Sequence, residues 1–170
     1  MSVIKQYRKD GRLYLWIAFI LMGVLFYSSS QTYEQQSQIG LLSTLLHNEP
    51  FSKGLSHIAF DYAGSEVSIE AKGYFSFVEF FIRKGAHFGT YFLMGGSLFL
   101  GLFPRIRSVW LTAVIAWLAA TGYAGLDEFH QMLTGGRTPL FQDVMLDSSG
   151  AATAIILCMI VFYLQKRRVI

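Results

Sequence analysis

From Leu13 to Tyr33 no charged side chain interrupts the chain. As a helix rising about 1.5 Å per residue, this run covers a hydrocarbon core of roughly 30 Å. Further apolar runs follow at 87–103, 109–126 and 144–164. Backbone groups in hydrocarbon must satisfy one another, and unbroken apolar runs of this kind do so as helices. The expected fold class is all-α membrane: a four-transmembrane-helix bundle forming a single domain over residues 1–170, with a long extracytoplasmic loop, 31–86, between helices 1 and 2. Composition agrees, since 53% of residues are apolar and only 15% charged, too apolar for an ordinary soluble domain. A cleavable leader is the rival reading of the first run: Lys5, Arg8, Lys9 and Arg12 precede it, and Ser28-Ser29-Ser30 would supply a cleavage site. The run's length favours a retained helix, and either reading sends the next segment outside.

Nine Lys and Arg residues (Lys5, Arg8, Lys9, Arg12, Arg105, Arg107, Lys166, Arg167 and Arg168) fall on one side of this arrangement. Five (Lys53, Lys72, Arg83, Lys84 and Arg137) fall on the other. The positive-inside bias therefore predicts cytoplasmic termini. Because the basic residues cluster at the ends of apolar runs, the net charge of +3 needs no nucleic-acid partner. Cys158 is the sole cysteine, so no intrachain disulfide or thiolate metal cluster can form, and it reads as a small buried hydrophobe.

The 31–86 segment is too long and too aromatic for a plain linker. Ile39, Leu41, Leu42, Leu45 and Leu46, ahead of Pro50, predict a short amphipathic helix lying on the membrane. Phe60 and Tyr62, Ala63-Gly64, then Val67 and Ile69 predict a small β-hairpin. The aromatic stretch Tyr74 to Phe81 is expected to ride in the interface before the chain enters the bilayer.

Depth arithmetic points to a site. Measured from the cytoplasmic ends at the same helical rise, Asp127 and Glu128 lie roughly 26 Å along the third span, Asp147 about 27 Å and Asp143 about 33 Å along the fourth, and His87 roughly 24 Å and Lys84 about 28 Å along the second. All reach one outer layer. Lys84, His87 and Tyr91 share a helix face, as do Glu128 with Gln131, and Asp143, Asp147 with Gly150. Carboxylates near hydrocarbon need partners or water, and Arg83, Lys84 and Arg137 are the cations available. One reading is an ion network that only pins helix ends together. The other adds binding or processing of a polar group by Arg83, Lys84, His87, Tyr91, Asp127, Glu128, Gln131, Arg137, Asp143 and Asp147.

Lys84-Gly85-Ala86-His87 with Tyr91, Asp127-Glu128-Phe129-His130-Gln131, Gly136-Arg137, Asp143, Asp147 and Gly150 together resemble the motif series of the VanZ-like family. Ser28-Ser29-Ser30-Gln31, Ser68-Ile69 and Phe80-Phe81-Ile82-Arg83-Lys84 resemble members from low-GC Gram-positive bacteria. The resemblance covers nearly the whole chain. It implies a bacterial plasma-membrane protein of the cell envelope, with a role in low-level resistance to the lipoglycopeptide teicoplanin. Thr90 stands where many members carry an acidic residue, and Asp147 where many carry Asn, so charge pairing in the pocket differs among members.

Two mechanisms follow. In a binding module, the outer pocket engages a lipid headgroup, a lipid-linked wall precursor or the lipoglycopeptide itself. In an intramembrane enzyme, His87 with Glu128 or Asp127 supplies acid-base chemistry, Arg137 and Lys84 hold a phosphate or carboxylate, and Asp143 orients the base. No GxSxG, HExxH or P-loop pattern selects a reaction. No cofactor is expected. A metal held by His87, His130 and carboxylates is disfavoured because His130 points away from the Glu128 face. A carrier is disfavoured because the bilayer midplane is left nearly free of charge. Gly95, Gly96, Gly122, Gly125, Ala151, Ala152 and Ala154 read as close-packing positions.

Overall fold

The computed structural model describes residues 11–135 and 139–167. Four of its helices are long and apolar enough to cross a membrane: α1 (Arg12–Ser29), α6 (Tyr74–Ile106), α7 (Val109–Gly135) and α8 (Phe141–Arg167). Between α1 and α6 lie the short helices α2 (Tyr33–Gln36), α3 (Ile39–Leu45), α4 (Ser52–Leu55) and α5 (Ile69–Lys72), and a two-stranded hairpin of β1 (Phe60–Tyr62) and β2 (Ser65–Val67). The four-helix membrane fold expected from the apolar runs is the fold observed.

Each long helix buries a narrow stripe and turns the rest outward. On α7 the stripe is Ala113, Ala116, Ala120 and Ala124, a helical spacing of small residues that lets neighbouring backbones approach. Leu111, Val114, Leu118 and Leu126 on the same helix are exposed, as suits a lipid-facing surface. On α1, Ala18, Leu25 and Ser29 face inward while Leu13, Trp16, Phe19 and Ile20 face out. The most extensive pairing is α6 with α8, and small residues set it. A Cβ on Gly95 would stand 2.7 Å from the Cα of Ala151, and one on Gly150 would stand 2.5 Å from the carbonyl oxygen of Phe88.

Several boundaries differ from the sequence expectation: α1 ends at Ser29 rather than Tyr33, and α7 runs past 126 to Gly135. The second long helix begins at Tyr74 rather than His87, so the aromatic stretch is its first two turns. Gly73, at φ 79°, breaks the chain from α5. Tyr74 and Phe77 are then buried, and Phe80 packs edge-on against Tyr62. At 33 residues, α6 is about 50 Å long and outreaches a hydrocarbon core of roughly 30 Å. The same helix runs through Pro104 to Ile106 and stops where Arg107 adopts φ 59°, leaving a shorter connection to α7 than the expected Pro104–Arg107 loop.

The hairpin forms where expected, with Phe60 opposite Val67 and Tyr62 opposite Ser65. Ala63 and Gly64 take φ 54° and 77°, the left-handed pair that matches the twist of a two-residue turn. Ile69 belongs to α5 rather than to the strand. The helix anticipated before Pro50 is α3, which buries Leu42 and exposes Leu41 and Leu45.

Candidate functional site

The buried stripes become polar at the end of the bundle opposite the start of α1 and the end of α8. On α7 the alanine series continues at helical spacing into Asp127 and Gln131, and on α8 the stripe through Ala154 and Ala151 continues to Asp147. On α6 the Met94 and Tyr91 stripe leads to His87 and Lys84. Because Gly150 lets α8 touch the backbone of α6 at Phe88, the charged residues one and two turns beyond that crossing face each other at bonding distance.

Among the described residues, an ion pair and a histidine–carboxylate contact join α6 to α8. Lys84 Nζ meets Asp143 Oδ1, and His87 Nδ1 lies 3.3 Å from Asp147 Oδ2. Asp147 is 2% exposed, and its Oδ1 has no partner among the described residues. Glu128 accepts the backbone N–H of Leu140 at 3.0 Å, which ties the carboxylate of α7 to the segment entering α8. Gln131 Nε2 donates to Asp127 Oδ2 at 3.0 Å.

The hairpin closes over this layer. Tyr62 donates its hydroxyl to Asp143 Oδ1 at 2.5 Å, and the ammonium of Lys84 sits 4.8 Å from the centre of the Tyr62 ring. Burial, reinforced by the Asp143 carboxylate, pushes the Tyr62 phenol well above its ordinary range. Under the hairpin is a cavity of about 510 Å³ whose walls include Tyr62, Lys72, Phe80 and Leu146. Of the ten residues expected to bind a ligand, Arg83, Lys84, His87, Glu128, Gln131, Asp143 and Asp147 line it. Tyr91 and Asp127 do not: Tyr91 is fully buried and Asp127 is 5% exposed. Arg137 lies outside the described residues.

Arg83 departs from its expected role as a carboxylate partner. Its Nη2 donates to Gln36 Oε1 at 3.1 Å and its guanidinium lies 4.7 Å over the Tyr33 ring, because α2 folds back against α6. Its Nη1 is buried with no partner among the described residues.

Glu79, which sequence reasoning passed over as one charge in an aromatic stretch, is 1% exposed. It accepts the Gln38 backbone N–H and, at 3.2 Å, the Tyr33 hydroxyl, and so fastens the α2–α3 segment to α6. A lone acid inside an aromatic run was the available signal. His130 turns to α1: Ser29 Oγ lies 2.8 Å from its Nδ1, and Phe26 stacks on its ring at 4.5 Å. Among the described residues no three His, Cys, Asp or Glu side chains stand close enough to share a metal ion.

A bundle of four helices long and apolar enough to cross a membrane, with a mixed-charge cavity beneath a hairpin at one end, defines a multi-pass membrane protein. The VanZ/LLP1 family profile matches residues 14–162, and the chain belongs to that family. No curated protein and no solved structure matches it.

Proposed function

We propose that this VanZ-family protein resides in the plasma membrane of a Gram-positive bacterium with both termini cytoplasmic, and that its cavity opens to the outside. There it binds the polar part of a lipid headgroup, a lipid-linked wall precursor or a lipoglycopeptide, and contributes in this way to low-level teicoplanin resistance. The observation that carries this reading is the cavity itself, about 510 Å³ and lined by Arg83, Lys84, His87, Glu128, Asp143 and Asp147. That volume suits a small ligand. Ionisable groups drawn from three helices into one water-accessible layer are costly to keep beside hydrocarbon unless they do something there. Arg137, which precedes α8 in the sequence, is proposed for the same site.

The test is His87→Ala and Glu128→Gln in a strain lacking the native copy. Teicoplanin susceptibility should rise to that of the deletion strain while membrane abundance stays level. Unchanged susceptibility at normal abundance would leave the charged layer as architecture alone.

The His87–Asp147 contact favours a second reading. A carboxylate on Nδ1 orients an imidazole and leaves Nε2 for proton transfer, so the cavity has the parts of an acid-base site. Purified protein incubated with a labelled lipid-linked wall precursor separates the two: product formation that His87→Ala abolishes establishes an enzyme, and saturable binding without product establishes a binding module.

A further inference from the structure

Arg83 stands between two cavities. On one side is the charged cavity described above. On the other is a cleft of about 400 Å³ lined by Ser28, Gln31, Gln35 and Gln38, with Arg83 and His87 shared between both. The cleft's chemistry is unlike its neighbour's, because amides and hydroxyls replace acids and bases. Side-chain amides present donors and acceptors together, which suits a neutral ligand group rich in hydroxyl and amide functions rather than an ion.

The charges next door are unevenly engaged. Asp143 is met by Lys84 and Tyr62, Asp147 by His87, and Glu128 by the Leu140 N–H. Lys72 lies over the Phe80 ring at 5.7 Å and has no acidic partner among the described residues. Arg83 is held by Gln36 and Tyr33, with Nη1 buried and unpartnered among the described residues. A guanidinium fixed in orientation and lining both cavities fits the oxygens of an anion.

We propose that the two cavities are one bipartite site for a sugar phosphate, with the phosphate on Arg83 toward Lys72 and the sugar in the Gln-lined cleft. This rests on the ligand-binding reading above and names the ligand class. The test uses the full-length protein in phosphatidylcholine nanodiscs, with calorimetric titration of N-acetylglucosamine 1-phosphate, inorganic phosphate and N-acetylglucosamine. The sugar phosphate should bind at least about tenfold more tightly than either part alone, the gain of one or two added hydrogen bonds. Gln31→Ala with Gln38→Ala should remove that gain and leave phosphate affinity within about threefold. Arg83→Gln should weaken both phosphate probes by about tenfold or more, and Arg83→Lys should restore part of it. The dodecyl ester of the sugar phosphate separates two supporting outcomes: tighter binding points to a lipid-linked source, and equal binding to a free one. A sugar phosphate that binds no better than phosphate, or glutamine variants that change nothing, would overturn the bipartite site while leaving the headgroup reading intact. Absence of binding by every probe, with the His87→Ala susceptibility phenotype present, would overturn the ligand class alone.

Discussion

Alanine at Gly150 should drive α6 and α8 apart at the crossing that holds the charged pairs in register. The added Cβ would lie 2.5 Å from the Phe88 carbonyl oxygen and 3.3 Å from its Cα. The first separation is about 1 Å short of ordinary contact. Both atoms are backbone, so no rotamer change relieves the clash, and overpacking of this kind costs about 1 to 3 kcal/mol. Alanine also gains about 1 kcal/mol over glycine in helix propensity, which would mask part of the loss. Gly122 supplies the control, because a Cβ there meets nothing within 4 Å. Comparing Gly150→Ala with Gly122→Ala cancels the propensity gain and isolates the clash. The assay is thermal loss of monodisperse protein in detergent. At about 2 to 4 °C per kcal/mol for a chain of this size, Gly150→Ala should melt roughly 2 to 12 °C below Gly122→Ala. Equal melting temperatures would refute the claim that this close approach positions the site.

Tyr62→Phe removes the hydroxyl bonded to Asp143, a bond to a charged acceptor worth about 1.5 to 3 kcal/mol. Amide exchange across Phe60–Val67 should quicken by about tenfold or more, while exchange in the middle of α7 stays constant. Because the folded-state phenol is raised, its contribution is present in full below the ordinary tyrosine value of about 10 and declines as pH rises above it. Wild-type hairpin protection should fall in that alkaline range, and the Tyr62→Phe protein should lack this loss. Glu79→Ala removes the buried acceptor of the Tyr33 hydroxyl and the Gln38 N–H, two hydrogen bonds worth about 1 kcal/mol each where the donors can turn to water. Limited proteolysis between residues 31 and 60 should then accelerate several-fold, and an unchanged cleavage pattern would show that α2 and α3 are held by other contacts. A double-mutant cycle of Lys84→Met and Asp143→Asn should return a coupling near 1 kcal/mol, because both side chains are about one-fifth exposed, at 23% and 18%, and water screens the pair. Additive effects would mean that the two groups do not act as a pair.

Much of the architecture was legible along the chain. Apolar runs declare membrane helices because hydrocarbon leaves the backbone no other partner, and Ala63-Gly64 between short β-prone segments declares the hairpin. The shared depth of Lys84, His87, Glu128, Asp143 and Asp147 also followed from sequence, because helical rise is constant enough to measure distance along a span. The start of α6 was misplaced because an aromatic run suited to an interface does not itself say whether it is helical. The hairpin and the buried face of Tyr74 and Phe77 decide for helix here.

What a single strand of letters determined, then, is what repeats along it: four membrane helices and the charges gathered at one end of them. Partner choice was decided only in three dimensions. Whether Lys84 or Arg83 takes Asp143, whether Asp127 faces the cavity or the wall, and why Glu79 tolerates burial all depend on contacts between segments far apart in sequence. Rise per residue gives depth, whereas azimuth is set by how closely two backbones pack, and at Gly95 and Gly150 that closeness belongs to the helix pair rather than to either helix.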